Sequence, residues 1–394
     1  MTDTIITINP GSATIKLGVF ACERGQARPL GRATVDESAG KLRMQVGQSR
    51  TEHDLPSDAS ALVMMERVLA LLADRLTLRE PGAIAQRVVH GGDHFAGPAI
   101  IDEGVLAAIE ALIPLAPLHQ PKSVALIRIL RKLYPDVAQI ACFDTAFHRT
   151  QSDVVRRFAI PRALFDAGVK RFGFHGLSYQ FIAAELERRR PDLAHGRVVV
   201  AHLGAGASLC ALEGGVSRDT TMGFSALDGV PMATRCGAID PGVLLHLMRA
   251  DGMTAEALEN MLYHRSGLLG LSGISGDTRV LAESEALSAD EALEIFTFRV
   301  AREAAALATT IGGIDALVFT GGIGEHQPEM RARICARLAW LGVTIDTDAN
   351  NAGAPNIAAT DARAAVLIIS ADEEQTMAEQ CGSTLASTCQ SHRF

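Results

Sequence analysis

Two β-rich runs, each broken by glycine and then resumed, lie almost half a chain apart and limit the folds open to this 394-residue sequence. Residues 4–9 (TIITIN) are interrupted at Pro10, Gly11 and Ser12 and continue through 15–20; residues 197–202 (RVVVAH) are interrupted at Leu203, Gly204, Ala205 and Gly206 and continue through 208–212. β-Branched residues on both sides of such breakers predict a hairpin at each place. The second unit echoes the first, and their separation is too long for a solenoid repeat, so it suits a duplicated domain with a cleft between the halves.

Ala316–Thr320 (ALVFT) is a further strand that runs into a predicted glycine turn at Gly321, Gly322, Ile323, Gly324 and Glu325, after which Pro328–Leu338 carries helical apolar spacing. Strand, glycine turn and helix in that order suggest nucleotide contact. Helices are predicted over 121–134, with proline in the first turn, and over 179–190, 254–262 and 289–311. Strands alternating with helices give the class α/β. The chain is longer than single cores usually grow, so two domains are expected: 1–148, with 376–394 packing back onto it, and 149–375. The polar stretch 150–162 reads as the crossing, and the Ser/Thr/Cys-rich tail after Cys381 as a surface helix end or a frayed one.

A formal net charge of −8 gives no basic face for a polyanion, which disfavours nucleic acid as a partner. The seven cysteines (Cys22, Cys142, Cys210, Cys236, Cys335, Cys381 and Cys389) are scattered and never spaced CxxC, so neither a disulfide framework nor a zinc knuckle is expected; a reducing cytoplasm fits. The start Met-Thr-Asp-Thr lacks a basic, apolar leader, and no long apolar run follows, so secretion and membrane insertion are not expected.

Phosphate groups are held by backbone N–H donors, which come close enough only where side chains are absent; Gly11, Ser12, Gly204 and Gly206 meet that demand. There is no GxxxxGK[ST] string and no GxGxxG after a strand, which excludes a P-loop and a dinucleotide fold. Two glycine hairpins plus a GGIGE segment resemble the superfamily of acetate and sugar kinases, heat-shock chaperone ATPases and actin. That resemblance implies an α/β fold of two duplicated ribonuclease H-like, actin-like lobes, each a mixed sheet flanked by helices, with ATP clamped in the active-site cleft between them. It fixes a fold and not a reaction.

Longer strings choose the reaction. INPGSATIK, QRVVHGGDHF, LAPLHQPKS, FDTAFHRT, RRFGFHGLSY, VAHLGAGAS, MATRCGAIDPG, SGLLGLSG, FTGGIGEH and ISADEEQ resemble the acetate kinase family in that family's order, from Ile8 to Gln375. The resemblance implies reversible Mg²⁺-dependent (or Mn²⁺-dependent) transfer of a phosphoryl group between ATP and acetate, giving acetyl phosphate and ADP, with propionate as a further substrate. It also implies a cytoplasmic homodimer joined through the second domain.

By motif match Arg87 and Arg235 are the catalytic arginines, and two anions brought together do need cations. His175 is expected to donate a hydrogen bond to the transferred phosphoryl, with His119 and His90 as positioning groups. Asp144 is expected to orient Arg87, Mg²⁺ or both, because a carboxylic acid with pKa about 4 to 5 is already ionised at pH 7 and needs no base. Asn9 and Glu373 match the metal ligands, although Ser370-x-x-Glu373 also reads as a capping box. Ser12, Thr14, Lys16, His202, Gly204, Ala205, Gly206, Asp277, Thr278, Arg279, Gly322, Ile323 and His326 match the ATP contacts, and Val89, Leu118, Phe174 and Ala226 the small apolar acyl pocket.

The sequence departs from the family pattern at three nucleotide positions: Ala205 lacks the usual amide, Thr278 stands where an aromatic often covers the adenine, and His326 replaces an asparagine. Base preference is open on these grounds. Ala226, where many relatives carry proline, leaves room for propionate. Two other readings stay open at this point: a hydroxyl-acceptor kinase with Asp144 as its base, and a non-enzymatic ATP-driven clamp.

Overall fold

In the computed structural model, residues 3–11, 14–23, 26–56, 60–78 and 80–391 are described. The chain divides into two compact units, the first drawn from Met1–Phe147, Gly176–Phe181 and Asp372–Phe394, the second from His148–His175 and Ile182–Ala371. Residues 150–162 lie wholly within the second unit, and the chain changes unit after Phe147, His175, Phe181 and Ala371.

The first unit is built on an eight-stranded mixed sheet in the order β5-β4-β3-β2-β1-β6-β8-β7. Its strands are β1 (Asp3–Pro10), β2 (Thr14–Glu23), β3 (Gln26–Asp36), β4 (Lys41–Val46), β5 (Ser49–Asp54), β6 (Ala83–Val88), β7 (Ala99–Ile100) and β8 (Ala138–Phe143). β1 to β5 form an antiparallel meander, while β1, β6 and β8 run parallel. One face packs Ile8, Leu17, Val35 and Ile84 against Val68 and Leu72 of helix Ala61–Leu76 and Leu126 and Leu130 of helix Gln120–Leu133. The other packs Ile5, Phe20 and Cys142 against Met377, Ala378 and Cys381 of helix Glu373–Ser391. The Ser/Thr/Cys-rich tail after Cys381 continues this helix to Ser391 with no buried residue over 382–388, so it is a surface helix end.

The second unit carries a five-stranded sheet in the order β11-β10-β9-β12-β13, made of β9 (Arg197–Leu203), β10 (Ala207–Glu213), β11 (Val216–Thr220), β12 (Ala316–Thr320) and β13 (Ala365–Ile368). β9 to β11 are antiparallel and β9, β12 and β13 parallel. The first unit contains this pattern in β3-β2-β1-β6-β8, so both units include a three-stranded meander extended by two parallel strands. β9 and β12 are apolar along most of their length because both sheet faces are covered. Helix Leu287–Thr310 lies on one face, burying Leu293, Phe296, Val300 and Leu307.

Both hairpins put a polar pair on the same rung. Asn9 faces Lys16 next to the first tip, and His202 faces Ser208 next to the second.

Among the described residues no helix is long and apolar enough to cross a membrane.

Candidate active site

In the first unit the carboxyl ends of parallel strands β1, β6 and β8 deliver Asn9, Arg87 and Asp144 to one place, the position at which open α/β sheets bind ligands. Asp144 follows β8 directly, and its backbone N–H donates to the Val88 carbonyl at 3.1 Å. Arg87 Nη2 then lies 2.6 Å from Asp144 Oδ2 and Arg87 Nε 3.1 Å from Oδ1. Arg87 Nη1 donates to Asn9 Oδ1 at 3.1 Å. Burial works against the arginine charge, but Asp144, Glu373 and Glu374 outweigh it and hold the guanidinium above its ordinary pKa.

The amide of Asn9 also reaches two acids: Nδ2 donates to Glu373 Oε2 and to Glu374 Oε1, each at 2.8 Å. Burial and the neighbouring Glu373 raise the pKa of Glu374, against the opposing pull of Lys16. The capping box anchored on Ser370 does not form. Helix Glu373–Ser391 is capped instead by Asp372, whose Oδ1 accepts from Gln375 N at 3.0 Å, and this frees Glu373 to meet Asn9. Sequence alone does not single out Glu374; its signal is its place beside Glu373 on the first turn of a helix that faces β1.

Elsewhere in the first unit, Lys16 is exposed and Thr14 half-buried, the Thr14 carbonyl closing the tip by accepting from Gly11 N at 2.7 Å. Ser12 lies outside the described residues. Val89 is buried, whereas Leu118 is 44% exposed. His119 starts helix Gln120–Leu133 without a side-chain cap bond. His90 is buried and accepts from Gly92 N through Nδ1 at 2.9 Å. Gln120, to which no sequence motif points, clamps this segment, donating to the His90 carbonyl at 2.9 Å and accepting from His90 N at 3.2 Å.

The second unit holds the histidines. His175 adopts φ +58°, a left-handed conformation uncommon outside glycine. What holds it there is local. His148 Nε2 donates to the Phe174 carbonyl at 2.9 Å, and His148 Nδ1 accepts from Ser217 Oγ at 2.9 Å. The His148 ring presses so close to Gly173, itself at φ +80°, that a Cβ there would come within 2.6 Å of it. Burial pushes the His148 pKa down to about 4, so the ring is neutral with its proton on Nε2.

The His175 ring stacks on His202 with centroids 4.5 Å apart, and its Nδ1 lies 2.8 Å from Ser208 Oγ. A Cβ placed on Gly206 would lie 3.4 Å from His175 Nε2 and 3.9 Å from Arg235 Nη1, so the glycine turn runs directly past both side chains. Arg235 Nη1 also donates to the Ala226 carbonyl at 3.4 Å. Phe174 is buried and Ala226 half-buried. The structure thus gathers His175, His202, Gly206 and Arg235. Ser208 carries no motif signal of its own, although hairpin register alone would set it opposite His202.

Residues 321–325 are not a turn but the helix Gly321–His326. Glu325 reaches back to its own helix start, Oε1 accepting from Gly321 N at 2.9 Å and Thr320 Oγ1 at 3.3 Å, which offsets the cost of three glycines. Gly322 is open, since a Cβ added to it would meet nothing within 4 Å, and a Cβ added to Gly204 would lie 4.0 Å from Gly322 N. Ile323 is buried and His326 exposed.

Thr278 does not occupy a surface position where a base would stack. It is the first residue of helix Thr278–Ala282, 1% exposed, and its Oγ1 accepts from Gln327 Nε2 at 2.6 Å. Asp277 caps that helix through Arg279 N at 2.9 Å and pairs with the exposed Arg279 guanidinium at 2.6 Å.

The model of the Acetokinase family matches residues 4–379. An acetate kinase of Methylocella silvestris is 45% identical over 96% of this chain and 97% of its own, and one of Rhodopseudomonas palustris 46% identical over the same shares. Among solved structures, a propionate kinase of Francisella tularensis superposes with a TM-score of 0.88 at 33% identity, covering 96% of this chain and 98% of that one. The acetate kinase of Porphyromonas gingivalis does so at 0.85 and 31%, covering 97% and 100%. The lobes share the α/β, actin-like architecture of these kinases, and the chain belongs to the acetokinase family of carboxyl-group phosphotransferases.

Proposed function

We propose that this protein is an acetate kinase that also accepts propionate, transferring the γ-phosphoryl of ATP reversibly to the carboxylate. A carboxylate oxygen forms the new P–O bond, the bond to the β-phosphate oxygen breaks, and ADP leaves with the electron pair. The acceptor brings no proton, so the step needs no base. The arrangement around Asp144 carries the reading: its carboxylate is 1% exposed and engaged edge-on by Arg87, a state suited to orienting a cation and ill suited to deprotonating a hydroxyl. That observation favours the acyl acceptor over the hydroxyl acceptor.

In this reading Arg87 and Arg235 offset the charge on the two anions, and His175 donates to the phosphoryl through Nε2, the nitrogen turned towards Gly206. Gly204, Ala205, Gly206, Asp277, Arg279, Gly322, Ile323 and His326, with the Thr278 backbone, hold ATP together with Ser12, Thr14 and Lys16. Val89, Leu118, Phe174 and Ala226 line the acyl pocket.

The residues present fit Mg²⁺ at Asn9 and Glu373. Two carboxylates converge on the Asn9 amide, and burial together with their mutual repulsion raises the pKa of Glu374. This ion commonly keeps several waters, so one or two protein oxygens would suffice to hold it. When bound, the ion would neutralise charge on the transferring phosphates.

The reading includes a homodimer, which an exposed apolar helix face supports. Helix Pro241–Ala250 (PGVLLHLMRA) buries none of its ten residues and leaves Val243, Leu245 and Met248 42%, 49% and 44% exposed. We place the protein in the cytoplasm; Cys142, Cys210, Cys335 and Cys381 are buried free thiols.

The reaction is tested by trapping with hydroxylamine. Acyl hydroxamate should accumulate with ATP, Mg²⁺ and acetate or propionate, and not without the acid. Phosphorylation of a sugar hydroxyl in place of hydroxamate formation would reverse the assignment, and sedimentation of the intact chain checks the dimer.

A further inference from the structure

Arg331 is the largest side chain with less than 2% exposure in the described chain, and it has no acid to answer its charge. It sits on helix Pro328–Leu338, on the stripe shared by Met330, Ile334, Cys335 and Leu338, where an apolar residue is the ordinary occupant. Among the described residues no carboxylate lies within ion-pair distance of it, and its burial lowers the pKa with only the Cys335 thiol opposing. An unpaired buried guanidinium is expensive, so its hydrogen bonds must account for its presence.

Every acceptor it uses is neutral. Nη1 donates to the Gly324 carbonyl at 2.9 Å and the Glu325 carbonyl at 3.0 Å; Nε donates to Asn350 Oδ1 at 2.8 Å and Nη2 to the Asn350 carbonyl at 2.8 Å. The first two are end carbonyls of helix Gly321–His326, which Gln327 and Pro328 prevent from continuing. Gln327 N satisfies the Ile323 carbonyl at 3.1 Å, so Arg331 completes the accounting for 323 to 325. A cation at a helix C-terminus also meets favourable dipoles, which is how this charge is tolerated without an acid. Asn350, 2% exposed, is fixed in turn by donating to the Pro328 carbonyl at 2.9 Å.

We propose that Arg331 is the positioning residue of the nucleotide segment: it locks residues 321–326 in one place so that Gly322 and Ile323 meet ATP with their ordering cost already met. The proposal rests on the reading of Gly322 and Ile323 as nucleotide contacts. A six-residue helix with three glycines has little stability of its own, and pre-organisation is what such a segment lacks. Lysine cannot take the place of arginine here, because one ammonium cannot span both carbonyls and Asn350.

The test compares Arg331→Met, Arg331→Lys, Asn350→Ala and Gly322→Val in the full-length protein, reading KM for ATP, KM for acetate, kcat and melting temperature. Loss of hydrogen bonds to a charged group predicts that KM for ATP rises about tenfold or more in Arg331→Met, with KM for acetate and kcat within about twofold. Arg331→Lys should show the same split to a smaller degree, and it stands in if the methionine variant does not fold. Asn350→Ala should lower the melting temperature while leaving KM for ATP within about twofold, since the bonds to 324 and 325 survive. A parallel rise of both KM values in the arginine variants, or a rise in KM for ATP that tracks the melting temperature across Arg331 and Asn350 variants alike, overturns the proposal. Gly322→Val adds side-chain bulk at an open position and should itself raise KM for ATP. If it does not, the nucleotide reading falls and takes this proposal with it; if it does while Arg331→Lys and Arg331→Met leave KM for ATP unmoved, only this proposal falls.

Discussion

Arg87 and Asp144 meet edge to edge at the ends of two adjacent parallel strands, with Nη2 2.6 Å from Oδ2 and Nε 3.1 Å from Oδ1. The pair ties together residues far apart in sequence, and Asn9 extends it to Glu373 and Glu374. Asp144→Asn keeps the shape and removes the charge that orients the guanidinium. The expected result is a fall in kcat of roughly a hundredfold, with no change in the form of the pH–rate profile, in which no basic limb near 7 appears for either protein. A wild-type limb near pH 7 that vanishes in the variant would make Asp144 a base.

His175 combines a left-handed backbone with the imidazole that faces Gly206. Asparagine tolerates that backbone better than most residues. His175→Asn should therefore melt within a few degrees of the parent while losing roughly 10²-fold or more in kcat. His175→Val should lose both activity and stability, because a β-branched residue resists φ +58°. Equal melting temperatures for the two variants would show that the backbone conformation relaxes at no cost.

His148 in one unit and His90 in the other are both buried, burial pushing each from 6.5 to about 4. The unfolded chain takes up these protons near pH 6.5 and the folded chain only near 4, so the unfolded state binds more protons throughout that window. Stability is thus full above pH 6.5, falls as pH drops towards 4, and changes no further from this source below it. Each histidine contributes about 3 kcal/mol across the window. Urea unfolding at pH 7.5, 6.0 and 5.0 measures the slope, and His148→Gln should flatten it; stability rising on acidification would contradict the assignment.

Glu374 lies buried beside Glu373, and both the desolvation and the like charge raise its pKa. Glu374→Gln removes the repulsion yet keeps an acceptor for Asn9. Without divalent cation the variant should melt about 2–4 °C higher at pH 8, and added Mg²⁺ should stabilise it less than it stabilises the parent. Thermal scans with and without MgCl₂ decide this; a lower melting temperature in the metal-free variant would mean that the carboxylate is a net stabiliser.

In the proposed acyl pocket Ala226 stands where many relatives carry proline, and one methylene shifts preference by only about 1 to 3 kcal/mol. Propionate and acetate should accordingly differ by less than about a hundredfold in kcat/KM. Rejection of propionate beyond that factor would rule out a roomy pocket.

The fold class was legible because it rests on local signals. β-Branched runs broken at Gly11 and at Gly204 and Gly206 give hairpins whatever surrounds them, and the spacing of the two hairpins carries the duplication. Helices with strong periodicity, such as Leu287–Thr310 and Gln120–Leu133, lie within a few residues of where the pattern puts them. Less legible was anything decided by a partner distant in sequence. The glycine-rich segment 321–326 reads as a turn from propensity, and it is a helix because Glu325 closes one end and Arg331 the other. Thr278 stands in the sequence where an aromatic often covers the adenine, and here it is buried with its hydroxyl accepting from Gln327.

The candidate site divides along the same line. The motifs alone were enough to name the family, and they nominate Arg87, Asp144, His175 and Arg235 for the chemistry. Which group answers which is set by the fold. Asn9 meets Glu373 and Glu374 from the far end of the chain, Ser208 meets His175, and His148 holds the strained turn before it. Hydrogen bonds and ion pairs act over about 3 Å, whatever the separation along the chain, and strand register and helix docking, not composition, bring such atoms within reach.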